Sequence, residues 1–280
     1  MSLAVVFKGA EGLVLAADSR VTLTAIATAP PPPNGVPEGF VLAPQVMHTY
    51  FDNATKLLSL NDHPYLGIVT YGQGAIGQEQ PRMAHGYLPE FERWLTKLKT
   101  KRPSVRVVAR ELGKFFAGRW TEAGMPDDGD PMVFLVAGFD AGSAHGRVYE
   151  VSVPNAPDPV EQNADGFGIS WGGMTYLGER LLNGVAPRAI GIARDELDLA
   201  EEQESALAAR WERELGLSIP YQLLPLQDCI DLSTFLVDMT ANVMTWTIGI
   251  QGVGGDVDVA TITSTDGFQA IQQKKAHAWE

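Results

Sequence analysis

Short apolar runs separated by turn residues open the chain. Leu3 to Phe7 and Leu13 to Ala17 read as two strands joined across Gly9-Ala10-Glu11-Gly12. From about Thr24 to Met47 the pattern is lost: four consecutive prolines, Pro30 to Pro33, are followed by Asn34-Gly35, Pro37 and Gly39. Proline removes the amide donor that a helix or a central strand needs, so this stretch is expected to be an exposed loop insertion. Strands resume at Lys56 to Leu60 and Tyr65 to Thr70. After Tyr71-Gly72-Gln73-Gly74 the period changes to that of a helix, with Met83, Leu88, Phe91, Trp94, Leu95 and Leu98 on one face. A second helix is expected from about Val105 to Ala123, with Ser104 as N-cap and Gly124 as stop.

The strand pattern returns at Met132 to Phe139, Gly146 to Val153 and Gly166 to Ser170, and Gly172 to Leu182 begins a further helix. Asp195 to Glu214 is charged and helical by propensity, with a modest apolar face of Leu197, Leu207 and Trp211, which suits a solvated insertion. A long apolar-periodic helix covers Leu226 to Trp246. Gly252 to Gly255 makes a turn, and Val257 to Thr263 is the last clear strand. Two antiparallel sheets with helices outside each would bury these faces. The expected fold is therefore α+β, a four-layer αββα sandwich formed by residues 1–280 as one domain.

Composition changes this picture little. The chain has 280 residues, of which 45% are apolar and 20% charged, as in ordinary globular proteins. The formal net charge of −13 argues against nucleic acid or an anionic membrane as partner, because both require clustered Lys and Arg. No apolar stretch approaches the ~18 residues of a membrane-spanning helix. The single cysteine, Cys229, excludes an internal disulfide. With no signal peptide at the start, this suits a reducing cytoplasm. Cys229 falls in a helical apolar pattern and reads as a small buried hydrophobe. No metal-ligand cluster and no cofactor motif is present.

The candidate chemistry lies at the start of the chain. Loss of Met1 would leave Ser2 with a hydroxyl and a free α-amine. The amine, with a pKa of roughly 7.7–8.0, can accept the hydroxyl's proton near neutral pH. Asp18 follows sixteen positions later, in Gly12-Leu13-Val14-Leu15-Ala16-Ala17-Asp18-Ser19-Arg20.

This block, with several others, resembles the proteasome β-subunit family of N-terminal nucleophile hydrolases, which includes bacterial proteasome-like peptidases. The other blocks are Lys56-Leu57-Leu58-Ser59-Leu60, Gly67-Ile68-Val69-Thr70-Tyr71-Gly72, Val136-Ala137-Gly138-Phe139-Asp140, Val148-Tyr149-Glu150-Val151, Ser170-Trp171-Gly172-Gly173-Met174-Thr175-Tyr176 and Gly254-Gly255-Asp256-Val257-Asp258-Val259. The resemblance implies acyl transfer through an ester on Ser2, with Lys56 as a buried ammonium near the nucleophile and Asp18 holding it charged. Arg20 would be a support, and the backbone near Tyr71-Gly72 the oxyanion donor. Ser170 and Gly172 fall where the family has a serine that orients the amine.

It further implies a peptide or unfolded-protein substrate, a homo-oligomeric ring and no cofactor, and leaves open an ATPase partner. The chain departs from the family at three points, one being that the stretch near Ile26 to Met47 and the segment Asp195 to Glu214 are longer than the family's usual loops. The nucleophile is serine rather than threonine, preceded only by Met1. The family's aspartate at the end of the long helix has no counterpart in Asn242 to Gly249, Asp238 lying a turn or more too early. A small-molecule amidase or acylase and an inactive structural subunit are the competing expectations on the same frame.

Overall fold

A computed structural model describes residues 2–27, 45–77 and 79–274. In chain order the strands are β1 (Leu3–Lys8), β2 (Leu13–Ala17), β3 (Val21–Ala27), β4 (Gln45–Phe51), β5 (Leu57–Ser59), β6 (Leu66–Gly72), β7 (Ala75–Ile76) and β8 (Arg82–Met83). Helices α1 (Leu88–Leu95) and α2 (Val105–Glu122) follow. Then come β9 (Met132–Gly138), β10 (Arg147–Val153), β11 (Ala156–Gln162) and β12 (Gly168–Gly173). Helices α3 (Tyr176–Leu182), α4 (Pro187–Leu197), α5 (Glu201–Leu215) and α6 (Leu226–Trp246) precede β13 (Asp258–Thr263) and β14 (Gly267–Gln272).

Two five-stranded antiparallel sheets form the middle of the molecule, in the orders β12-β1-β2-β13-β14 and β11-β10-β9-β6-β5. The alternation of side chains along each strand explains why entire strands are buried. In β1, Ala4 and Val6 face the opposing sheet, where, with Leu13 and Leu15 of the neighbouring β2, they pack with Val69, Leu135 and Ala137. Leu3, Val5 and Phe7 point the other way and pack with Val237 and Met244 of α6. The second sheet repeats this. Val69, Leu135 and Val148 face inward, whereas Ile68, Phe134, Val136, Tyr149 and Val151 meet Phe91 of α1 and Leu112, Phe116 and Trp120 of α2. Three separate cores thus hold four layers in the order helix, sheet, sheet, helix, and the αββα sandwich is the observed architecture. Ser104 caps α2 by accepting a hydrogen bond from Val107 N at 3.4 Å, as its position before the apolar run predicts.

Several elements differ from the expectation. The loop read at about 24–47 is entered and left by strands: β3 and β4 pair as an antiparallel ribbon from Val21↔Phe51 to Ala27↔Gln45. The prolines and the rest of residues 28–44 lie outside the described residues. The charged helix read at about 195–214 is two helices, α4 and α5, broken at Asp198, whose φ of 50° is left-handed. Gly172 and Gly173 end β12 rather than opening a helix. Two strands of the five-stranded sheets went unread: β11, which carries Pro157 and Pro159 and is confined to a sheet edge for that reason, and β14 at the edge of the other sheet. Among the described residues, no helix is long and apolar enough to cross a membrane.

Candidate active site

β1 and β2 run antiparallel, with Ala4 opposite Ala17. This brings Asp18, just past the end of β2, beside the start of β1. Asp18 is 1% exposed, and its carboxylate is surrounded by donors. Oδ1 accepts from Leu3 N at 3.0 Å and from Lys56 Nζ at 2.7 Å. Oδ2 accepts from Arg20 N and from Gly254 N, both at 3.1 Å. The amide that follows Ser2 and the ammonium of Lys56 therefore meet on one oxygen atom. Lys56 lies immediately before β5, in the opposite sheet, so this ion pair bridges the two sheets. Burial pulls the Lys56 ammonium below its ordinary value, and the Asp18 carboxylate opposes that pull.

Ser2 is buried. Its carbonyl accepts from Met174 N at 2.8 Å, while Asp18 holds the next amide. The residue is thus fixed from both sides. It lines a cleft of about 410 Å³ together with Arg20, Val21, Thr22, Lys56, Gly72 and Asp130. The Thr22 hydroxyl is buried without a hydrogen-bond partner among the described residues, an acceptor and donor left over for a ligand.

Gly72 ends β6 with a φ of 81°, and a Cβ there would stand 2.2 Å from Pro131 O. The ladder fixes its direction. Gln73 N donates to Pro131 O on the β9 side, whereas Thr70 N donates to Lys56 O on the other side. Amides alternate along an antiparallel strand, so the Gly72 N–H faces the same way as that of Thr70, toward the cleft. This is a suitable place for an oxyanion donor, and one such donor is worth about 3–4 kcal/mol in a transition state.

Arg20 does not join Asp18 through its side chain. Its guanidinium makes a two-pronged pair with Asp52, Nε to Oδ1 at 2.6 Å and Nη2 to Oδ2 at 2.7 Å. A third contact, from Nη1 to Gln251 Oε1 at 3.3 Å, reaches the segment that leads to Gly254. The guanidinium holds the Asp52 carboxyl below its usual range. Arg20 therefore braces the two loops that carry Asp52 and Gly254.

Ser170 and Gly172 are not where the sequence expectation put them. Ser170 pairs with Val6, toward the far end of β1, and its hydroxyl accepts from Asn163 Nδ2 at 2.9 Å. Gly172 is opposite Ala4 and is covered by the Tyr71 ring, which a Cβ would enter at 1.9 Å from Cζ. Gly173 and Met174 occupy the neighbourhood of Ser2 instead. The register of a glycine-rich strand could not be read to one residue, and that slip moved the assignment. Asp238 lies within α6, where burial pushes its carboxyl up, and it has no ion-pair partner among the described residues. Asp52, Gln251 and Gly254 were missed as site residues. For Gly254 a signal existed in the Gly254-Gly255 pair, but nothing local ties it to Asp18. Cys229 is buried, and burial pushes its thiol up to about 11, as befits a packing residue. Among the described residues no cluster of His, Cys, Asp and Glu is placed to hold a metal.

No family model and no curated protein matches the chain. Among solved structures it is similar to a Gly-1 mutant of Anbu, a bacterial proteasome-like protein, from Hyphomicrobium sp. strain MC1. The TM-score is 0.54 at 14% identity, over 98% of this chain and 86% of that one. The fold is proteasome-like. At this identity the likeness extends to architecture alone, and the chemistry must be argued from the residues described above.

Proposed function

We propose that the chain is an N-terminal nucleophile hydrolase that cleaves peptide bonds through an acyl-enzyme on Ser2. The observation that carries this reading is the buried Lys56–Asp18 pair, whose lysine lines one cleft with Ser2 and whose carboxylate holds the amide that follows Ser2. Once Met1, which lies outside the described residues, is removed, the Ser2 α-amine takes the Oγ proton as Oγ attacks the substrate carbonyl. The tetrahedral oxyanion is received by the Gly72 N–H. Collapse breaks the C–N bond, and the protonated amine passes its proton to the leaving nitrogen. Water then hydrolyses the ester by the same route, restoring Ser2. A nearby ammonium disfavours a second positive charge, so Lys56 keeps the α-amine unprotonated and able to act as base.

The cleft favours a peptide over a small amide. β3 pairs only with β4 among the described residues, and its residues Val21 to Thr24 line the cleft. An extended chain can hydrogen-bond along such a free strand edge. A homo-oligomeric ring, which would restrict entry to unfolded chains, belongs to the same reading.

The test is intact-mass analysis combined with a β-lactone probe. The mature protein is expected to lack Met1 and to gain one probe mass on Ser2, and Ser2→Ala is expected to gain none. A native protein that keeps Met1 and takes up no probe would overturn the catalytic reading in favour of a structural role.

A further inference from the structure

β1 ends at a second buried lysine that takes no part in the chemistry at Ser2. Lys8 stands at the far end of the strand from Ser2, roughly 20 Å away at about 3.4 Å per residue. It pairs with Leu13 of β2 and Gly168 of β12 and is 5% exposed. Its Nζ donates to Asn163 O at 2.6 Å, in the turn between β11 and β12. An ammonium has three N–H groups, and among the described residues this one makes no other hydrogen bond and no ion pair. Burial pulls it below its ordinary value; Glu161 and Asp165 oppose that pull without touching it. A charge taken out of water needs a counter-charge at contact distance, and the chain does not supply one.

Lys8 lines a cavity of about 280 Å³ between the β9–β10 turn and the β11–β12 turn, close to the lower end of ligand pockets, which run from about 300 Å³ upward. Its other charged walls are Arg147, Glu161 and Asp165. Arg147 and Glu161 neutralise one another, Nη1 donating to both carboxylate oxygens at 3.2 Å. Asp165 is exposed and makes no hydrogen bond or ion pair among the described residues. One positive and one negative charge are thus left over in a single cavity. The frame around them is held in place. The rings of His145 and Phe167, one from each turn, meet edge to face at 5.1 Å. The Ser143 hydroxyl donates to His145 O at 2.7 Å, and Asn163 Nδ2 donates to Ser170 Oγ at 2.9 Å.

We propose that this cavity is a binding site for a small zwitterion of the free amino acid class, its carboxylate held by Lys8 and its ammonium by Asp165. A simple anion would satisfy Lys8 but face Asp165 and Glu161. A simple cation would satisfy Asp165 but face Lys8 and Arg147. A molecule that carries both charges meets each with its opposite, and this is what selects it. The site stands apart from the hydrolase reading, since neither Ser2 nor Lys56 lines it.

The test is calorimetric titration of the full-length protein near neutral pH and at low salt. Glycine, β-alanine and 4-aminobutyrate space the two charges by one, two and three carbons; acetate, ethylammonium and inorganic phosphate are the controls. At least one zwitterion is expected to bind once per chain, about tenfold or more tighter than any control. Lys8→Met and Asp165→Asn should each weaken that binding by about tenfold or more, as loss of one charge-assisted hydrogen bond does. Should Lys8→Met fail to fold, Asp165→Asn, in an exposed turn, decides alone. Saturable binding by none of the three zwitterions overturns the proposal. Acetate or phosphate binding as tightly would make this an anion site, and ethylammonium binding as tightly a cation site; either result overturns it too. So does unchanged zwitterion binding in Asp165→Asn, which would place the ligand elsewhere on the molecule.

Discussion

Asp18→Asn tests the site's electrostatics without reference to activity. The substitution keeps shape and removes charge, and its cost follows from the contacts. Each carboxylate oxygen accepts two donors: Leu3 N and Lys56 Nζ on Oδ1, Arg20 N and Gly254 N on Oδ2. An asparagine has one acceptor oxygen, so in either orientation its NH2 group faces two donors. In both orientations the Lys56 ammonium, with 8% of its side chain exposed, has lost its counter-charge. Breaking a buried pair in this way costs about 3–5 kcal/mol. At about 2–4 °C per kcal/mol for a chain of this size, that lowers the Tm by about 6–20 °C.

Lys56→Met should cost less, on the order of 1–3 kcal/mol, because Asp18 keeps its three amide donors. The double variant Asp18→Asn/Lys56→Met should fall short of the sum by about 1–3 kcal/mol, since the stranded ammonium is gone. Urea unfolding of the four proteins measures all three quantities. If Asp18→Asn is no costlier than Lys56→Met, or if the two effects simply add, the pair does not act as the buried unit described here.

Two further outcomes follow from the same geometry. Gly173→Ala should abolish probe labelling of Ser2 in a protein that still folds. The new Cβ would stand 1.9 Å from the Ser2 carbonyl oxygen at a φ of 92°, and normal labelling would show that Gly173 does not position Ser2. The Asp52 carboxyl, held down by Arg20, contributes stability that is complete above the unfolded carboxylate pKa of about 3.9 and is lost as pH falls through the lower folded value. Its side chain is 43% exposed, which limits the effect to about 1 kcal/mol. Thermal melts from pH 6 to 2.5 should show wild type losing its advantage over Asp52→Asn only below about pH 4, and a parallel decline of both proteins would refute the coupling.

The sandwich could be read from the sequence because its strands are apolar on both faces. Runs such as Leu13 to Ala17 and Met132 to Phe139 leave no solvent face, and they require a layer on each side. Elements whose pattern carries a competing signal were the ones missed. Prolines hid β11, whose edge position tolerates them, and the proline run after Ala29 drew attention from the ribbon strands β3 and β4. That Ser2, Asp18 and Lys56 come together was legible because strand spacing and a family pattern agreed on it. Asp52 and Gly254 were not, since they reach Arg20 and Asp18 from loops 32 and 236 residues away along the chain, and no local pattern encodes such a meeting.

The Lys56–Asp18 pair has a consequence for the interior as a whole. Ser2 and Asp18 ride on one sheet, Lys56 and Gly72 on the other, and the spacing between the sheets is set by the side chains between them. Many of these are small: Ala4, Ala17, Ala137 and Ala260. Enlarging any of them would wedge the sheets apart at a distance from the cleft, and the 2.7 Å contact would lengthen while the sandwich remained intact. The geometry of this pair is therefore a gauge of how the two halves of the molecule sit together. Variants deep in the central core should lose β-lactone labelling of Ser2, the readout of the proposed activity, before they lose the fold.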